Sequence, residues 1–179
     1  MKKLLVSFVL AAILIPFSAS AQNPQPQARG FVEGGIGFGG CSGDCEGVDS
    51  SIGINISGFY MIMPNIAVGA TIRYQMYSVE FGDLSSMALG VEGRFYLPLN
   101  PMLKLYGLGS VGYTTMTYEN DYGDGDDSAF FVQLGGGVEY SITPLMAIGA
   151  QLKYQINSWD ESEGDFDEWY LGATVSFKF

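Results

Sequence analysis

The chain has 179 residues and no histidine. That removes Ser/His and Asp/His catalysis, and with it most protease and lipase mechanisms as usually built. The chain is therefore read as a non-enzyme. The groups left that could do chemistry are thiols and carboxylates. Cys41 and Cys45 sit close together as Cys-Ser-Gly-Asp-Cys, and a small local disulfide clasp is the simplest use of them outside the cytoplasm. Free thiols and a redox or metal role are the alternatives. Asp121, Asp124, Asp126 and Asp127 crowd a short Gly-containing stretch. Carboxylates so spaced form a candidate loop for weak binding of a hard divalent cation. The spacing does not match an EF-hand, and a solvated acidic rim is the simpler reading. No metal ligand set and no cofactor is expected.

A third set is sparser. Glu33, Glu92, Glu139, Arg73, Arg94 and Lys153 are isolated charges inside otherwise uncharged segments. They could line an ion path, or they could pair with one another as a structural network. Which use holds depends on the elements that carry them.

Those elements read as strands. In Trp169–Phe179, alternate residues Trp169, Leu171, Ala173, Val175, Phe177 and Phe179 make one face, and Tyr170, Gly172, Thr174, Ser176 and Lys178 the other. A period of two is a β-strand whose faces meet different surroundings. Seven further segments read alike, at about 30–39, 50–60, 66–77, 86–97, 103–117, 128–142 and 146–157, the fifth too Gly-rich for a firm face assignment. Three connections are short and centred on Pro64, Pro98/Pro101 and Pro144, since proline ends strands and favours tight turns. The other four, 40–49, 78–85, 118–127 and 158–168, are longer. A 14-residue block, Ile62–Gln75, recurs 80 residues later as Ile142–Gln155. Each copy reads as a turn followed by a strand.

The N-terminus is organised differently. Lys2 and Lys3 precede an apolar run from Leu4 to Phe17 and then Ala19-Ser20-Ala21. This is the layout of a secretory signal peptide, too short to span a membrane. Residues 1–21 are read as that signal, 22–28 as a polar lead-in, and 29–179 as one domain. Without the two lysines the net charge of −11 becomes −13, which argues against nucleic acid as a partner. Charged residues make up only 15% of the chain, against roughly 25–35% for a soluble surface.

Charge placement decides inside from outside. Of 19 acidic residues, 16 fall in the four long connections, which contain no Lys or Arg. The remaining strand charges mostly take the parity opposite the apolar residues. Glu33 fits less well, because it shares parity with Phe31. An uncharged, Gly-, Ser-, Thr- and Gln-rich face with a few charges of both signs suits a narrow interior. The apolar face then meets lipid, with Tyr60, Tyr74, Phe95, Tyr154, Trp169 and Phe177 as lipid-facing aromatics.

On these residues the chain resembles the small eight-stranded outer-membrane barrels of the OmpX and OmpA transmembrane-domain type, including the outer membrane protein β-barrel family. The resemblance implies an all-β fold, a closed eight-stranded antiparallel up-and-down transmembrane β-barrel, placed in the cell outer membrane. It implies that the terminal aromatic Phe179 is an assembly signal read by the barrel-assembly machinery. Outer-membrane lipid and lipopolysaccharide are the other expected partners, and the barrel is expected to be a monomer. The functional expectation is a plugged lumen and acidic extracellular loops, serving envelope structure or surface interaction such as adhesion. A narrow pore or small-molecule transport barrel, and a soluble periplasmic ligand-binding barrel, are the alternatives. No peptidoglycan-binding domain is expected to follow, so the anchoring role of full-length OmpA is not implied.

Overall fold

The computed structural model describes residues 29–43, 48–79, 83–120, 123–158 and 166–179. The expected signal peptide and lead-in lie outside them. Eight strands follow in chain order: β1 (Gly30–Gly43), β2 (Val48–Met63), β3 (Ile66–Val79), β4 (Asp83–Pro98), β5 (Leu103–Asn120), β6 (Gly123–Ser141), β7 (Met146–Ser158) and β8 (Phe166–Lys178). Each pairs with its sequence neighbours, and β1 pairs antiparallel with β8, from Phe31↔Lys178 to Gly43↔Phe166, closing the barrel. At the short-turn end the seam is fastened by reciprocal backbone bonds between Gly30 and Phe179. Closure leaves no through-going sheet edge in the wall.

The strand cores follow the alternation in the sequence, but most strands run further into the long connections than the alternation alone marks. The acidic residues expected in loops are therefore partly strand residues. Asp126 and Asp127 lie on β6, paired with Thr117 and Met116 of β5, while Asp167 and Glu168 lie on β8. The reason is that a twisted hairpin can continue past the apolar zone on backbone hydrogen bonds alone, with no change in apolar periodicity to mark it.

Parity is inverted relative to a soluble barrel. Ile52, Ile54 and Ile56 of β2 are 61%, 51% and 64% exposed, whereas Asn55 and Ser57 between and beside them are 2% exposed. On β8, Leu171, Val175 and Phe177 point outward, and Thr174 and Ser176 inward. A continuous exposed apolar wall of this size is incompatible with water as the surrounding medium. The soluble ligand-binding alternative, which needs the apolar face inside, is set aside by this inversion.

β1 departs from the pattern for a physical reason. Phe31 does face inward, with Glu33, and it stacks on Phe59 with ring centroids 4.8 Å apart. Those two rings, with Ala67, Tyr96, Tyr106 and Leu108, form an apolar cluster inside the bore near the short turns.

Candidate functional site: the charged lumen and its rim

The bore above the aromatic cluster is lined by buried polar side chains held on the wall. Arg94 of β4 is the centre of the lower group. Its Nη1 and Nη2 donate to the two carboxylate oxygens of Glu33 at 2.9 and 2.7 Å, and its Nε donates to Glu92 Oε1 at 2.7 Å. Lys153 Nζ of β7 donates to the other Glu92 oxygen at 2.8 Å. The guanidinium plane lies 4.1 Å from the Phe59 ring centre and 4.8 Å from that of Tyr106. A planar fork that grips a carboxylate at its tip and stacks on aromatics at its faces uses the features that distinguish Arg from Lys. It also joins the charged group to the apolar cluster beneath it.

Arg73 of β3 is the centre of the upper group. Its Nη2 donates to Glu168 Oε2 at 2.6 Å and to Gln155 Oε1 at 2.7 Å. Gln155 in turn donates to Asn157 at 2.8 Å and accepts from Gln133 at 3.3 Å. The sequence repeat explains part of this geometry. Arg73 and Lys153 occupy equivalent positions in the two copies, so β3 and β7 each present one cation at a similar depth. Both line a water-sized void together with Gln133 and Gln155.

A third pair sits toward the short turns, where Lys178 Nζ meets Glu139 Oε1 at 2.6 Å. Among the described residues four cations, Arg73, Arg94, Lys153 and Lys178, thus pair with four carboxylates, Glu33, Glu92, Glu139 and Glu168. These ion-paired charges balance, and Lys104, half-buried over the Tyr96 ring, is a further cation near the short turns. Balance matters because an unpaired charge at such burial costs several kcal/mol, whereas a paired and hydrogen-bonded one roughly breaks even.

All six sequence-derived lumen candidates are therefore buried, and each makes an ion pair. Two members were not among them. Glu168 was assigned to the acidic connection ending at that residue, yet it is fully buried in the bore. It shares parity with Tyr170 and Thr174, so extending the alternation of β8 by one step toward the N-terminus locates it. Lys178 lay on the polar face without a named partner. Tyr170 adds a structural role, because its ring covers the glycines beside it. A Cβ built on Gly37 would come 2.7 Å from Tyr170 Cζ, and one on Gly172 2.6 Å from Cε1.

The rim candidates fare differently. Cys41, on β1, is disulfide-bonded; Cys45 lies outside the described residues. Asp121 and the Asp124 side chain also lie outside them, while Asp126 and Asp127 are exposed on β6. Among the described residues no group of three or more acidic or Cys side chains is placed to hold a metal ion.

Known proteins agree with this architecture. Residues 8–177 match the family described as outer membrane protein beta-barrel domain. Outer membrane protein A of Escherichia coli O157:H7 is 28% identical over 146 residues, 73% of this chain and 40% of that protein. The chain thus spans about two fifths of the curated relative it matches. Among solved structures, Neisserial surface protein A superimposes with a TM-score of 0.72 at 16% identity, covering 84% of this chain and 97% of that one. Ail, the attachment invasion locus protein of Yersinia pestis, does so with a TM-score of 0.54 at 20% identity, covering 83% and 99%. At these identities the structural likeness speaks for the fold.

Proposed function

Because this chain belongs to the outer membrane protein beta-barrel family, we propose that it is a non-enzymatic integral outer-membrane protein. Its bore is plugged, and its acidic outer end serves envelope structure or surface interaction. The observation that carries the closed-bore reading is the ion-paired lumen. Arg94, held by Glu33 and Glu92 and packed against the Phe59 and Tyr106 rings, lies buried in an eight-stranded interior. Such an interior is only wide enough for side chains.

The outward-facing role rests on the acids gathered at the end opposite the Pro-centred turns, and on likeness of fold to Ail, the attachment invasion locus protein. The fold itself does not decide against catalysis. The reading as a non-enzyme rests on the missing histidine and on the ion pairing of the buried charges among the described residues. Residues 1–21 would direct secretion, Phe179 would be read by the barrel-assembly machinery, and lipopolysaccharide would surround a monomeric wall.

Planar-bilayer recording tests the closed bore. The wild-type barrel is expected to be electrically silent. Steady single-channel steps from wild type, altered by Arg73 or Glu92 substitution, would establish the narrow pore instead.

A further inference from the structure

We propose that the mouth of the bore at the short-turn end binds a phosphate group, with Lys104 of β5 and Lys178 of β8 as its cations. The site is independent of whether the bore conducts and of what the acidic end contacts.

Charge placement at this end is opposite to that of the other. Below the Arg94 group lie three basic residues, the exposed Arg29 and the part-buried Lys104 and Lys178, with one carboxylate, Glu139. The residues that join β2 to β3, β4 to β5 and β6 to β7 carry no charge. Three cations less one carboxylate leave two positive charges in excess among the described residues.

The ladder shows which lysine is left over. Lys104 stands directly opposite Glu139 in the β5–β6 pairing, a placement that favours a cross-strand ion pair. Glu139 is instead taken from β8, by Lys178 Nζ at 2.6 Å, and the same Nζ donates to Ser141 Oγ at 3.3 Å. Among the described residues Lys104 makes no ion pair. Its Nζ lies over the Tyr96 ring, 5.8 Å from the centroid. The ring face offsets part of the charge but offers no lone pair to the three N–H donors.

Tyr96 itself supplies a second, independent observation. Its side chain is buried, and its hydroxyl has no hydrogen-bond partner among the described residues. Leaving such a group unsatisfied costs about 1–3 kcal/mol. An ammonium without a carboxylate thus lies over a ring whose own O–H lacks an acceptor, and Lys178 keeps one N–H beyond the two it uses. The complement to these donors is an anion with several oxygen acceptors. A phosphate group carries one to two negative charges, within the excess at this end. Its oxygens point in several directions, so donors on β5 and β8 can bond it together by charge-assisted hydrogen bonds. A chloride ion lacks the separate acceptors, and a carboxylate presents its two in one plane. The phosphate is either a free anion or part of a phospholipid headgroup.

The test uses the barrel with lysine labelled by carbon-13 at Cε, in maltoside micelles, which contain no phosphate. Residues 29–179 include Lys104, Lys153 and Lys178, and Lys153, buried against Glu92, is the internal control. Sodium phosphate is titrated at constant ionic strength against sodium chloride. The Lys104 and Lys178 signals are expected to shift saturably with phosphate while Lys153 stays in place. Lys104→Met should weaken the binding read at Lys178 by about tenfold, as expected for loss of a charged hydrogen-bond partner. Lys104→Arg should restore most of it. An equal response to chloride, a shift that never saturates, or an unmoved Lys104 signal overturns the site on the wild-type barrel alone. The same titration in phosphatidylglycerol nanodiscs separates the two sources, and either result supports the site. An unchanged phosphate response assigns the free anion. A Lys104 signal already shifted before phosphate is added, and unresponsive to it, assigns the lipid headgroup.

Discussion

Arg73 of β3 and Glu168 of β8 meet inside the bore, 2.6 Å apart and both shielded from solvent. The contact ties the outer end of β8, next to the acidic rim, to the middle of the wall formed by β3. It also places one cation above the Glu33–Arg94–Glu92–Lys153 cluster, so ion pairs lie in the bore at two levels.

Breaking this pair from one side strands a buried charge. Glu168→Ala and Arg73→Ala are each expected to destabilise the barrel by about 3–5 kcal/mol. A Glu168→Met/Arg73→Met double replacement should cost far less than the sum, because neither charge is then left alone. Urea unfolding in lipid vesicles, followed by tryptophan fluorescence, measures all three. Additive losses would mean that the two residues act independently.

The outward face gives a second prediction. Ile54 is exposed in the middle of β2 and Asn55 beside it is buried. Ile54→Arg places a charge against hydrocarbon and is expected to cost about 2–4 kcal/mol. Ile54→Leu should be nearly neutral. If the arginine variant unfolds at the same urea concentration as wild type, the apolar wall does not face lipid.

How much of this was legible beforehand is seen best in single residues. The parity of Arg73, Glu92, Arg94, Glu139 and Lys153 was readable because each sits within a clean run of alternation, and parity alone decides inside from outside. Phe31 looked like an exception because alternation says which residues share a face, and not what a neighbouring strand puts opposite. Phe59, across the β1–β2 ladder, makes an aromatic inside the bore favourable. Glu168 was misplaced because its segment is acidic and Gly-containing, so it looks like loop until backbone pairing with Cys41 is known. The individual pairings, such as Arg94 with Glu33, could not be read at all. They depend on stagger between strands that are far apart in sequence, which composition does not encode.

The terminal aromatic yields a third prediction. The Phe179 ring lies against Gly30, where an added Cβ would come 2.6 Å from Cε2, but the side chain is 72% exposed. It contributes little packing, so Phe179→Ala is expected to change the stability of refolded protein by no more than about 1 kcal/mol. If Phe179 is an assembly signal, the same substitution should lower the folded fraction in cell outer membranes several-fold. Heat-modifiable migration on gels measures that fraction. Equal loss in cells and in refolding would make Phe179 a packing residue only.

Tyr170 and its glycines give the last. The ring is fully buried over Gly37 and Gly172, and its hydroxyl donates to Asn55 Oδ1 at 3.3 Å. A methyl at Gly37 would press on both Tyr170 Cζ, at 2.7 Å, and the Leu171 carbonyl oxygen, which is closer still. The backbone contact cannot swing away, so Gly37→Ala is expected to destabilise by about 1–3 kcal/mol as overpacking. Tyr170→Phe keeps the ring over the glycines and loses one hydrogen bond, for about 0.5–1.5 kcal/mol. Tyr170→Ala removes the cover and opens a cavity, for about 3–5 kcal/mol. The decisive comparison is Gly37→Ala in the Tyr170→Ala background. If the ring is the main obstacle, the second substitution relieves part of the first. If the Leu171 carbonyl dominates, the two losses add in full, and the closeness of β1 to β8 at the barrel seam, not the tyrosine, is what requires glycine there.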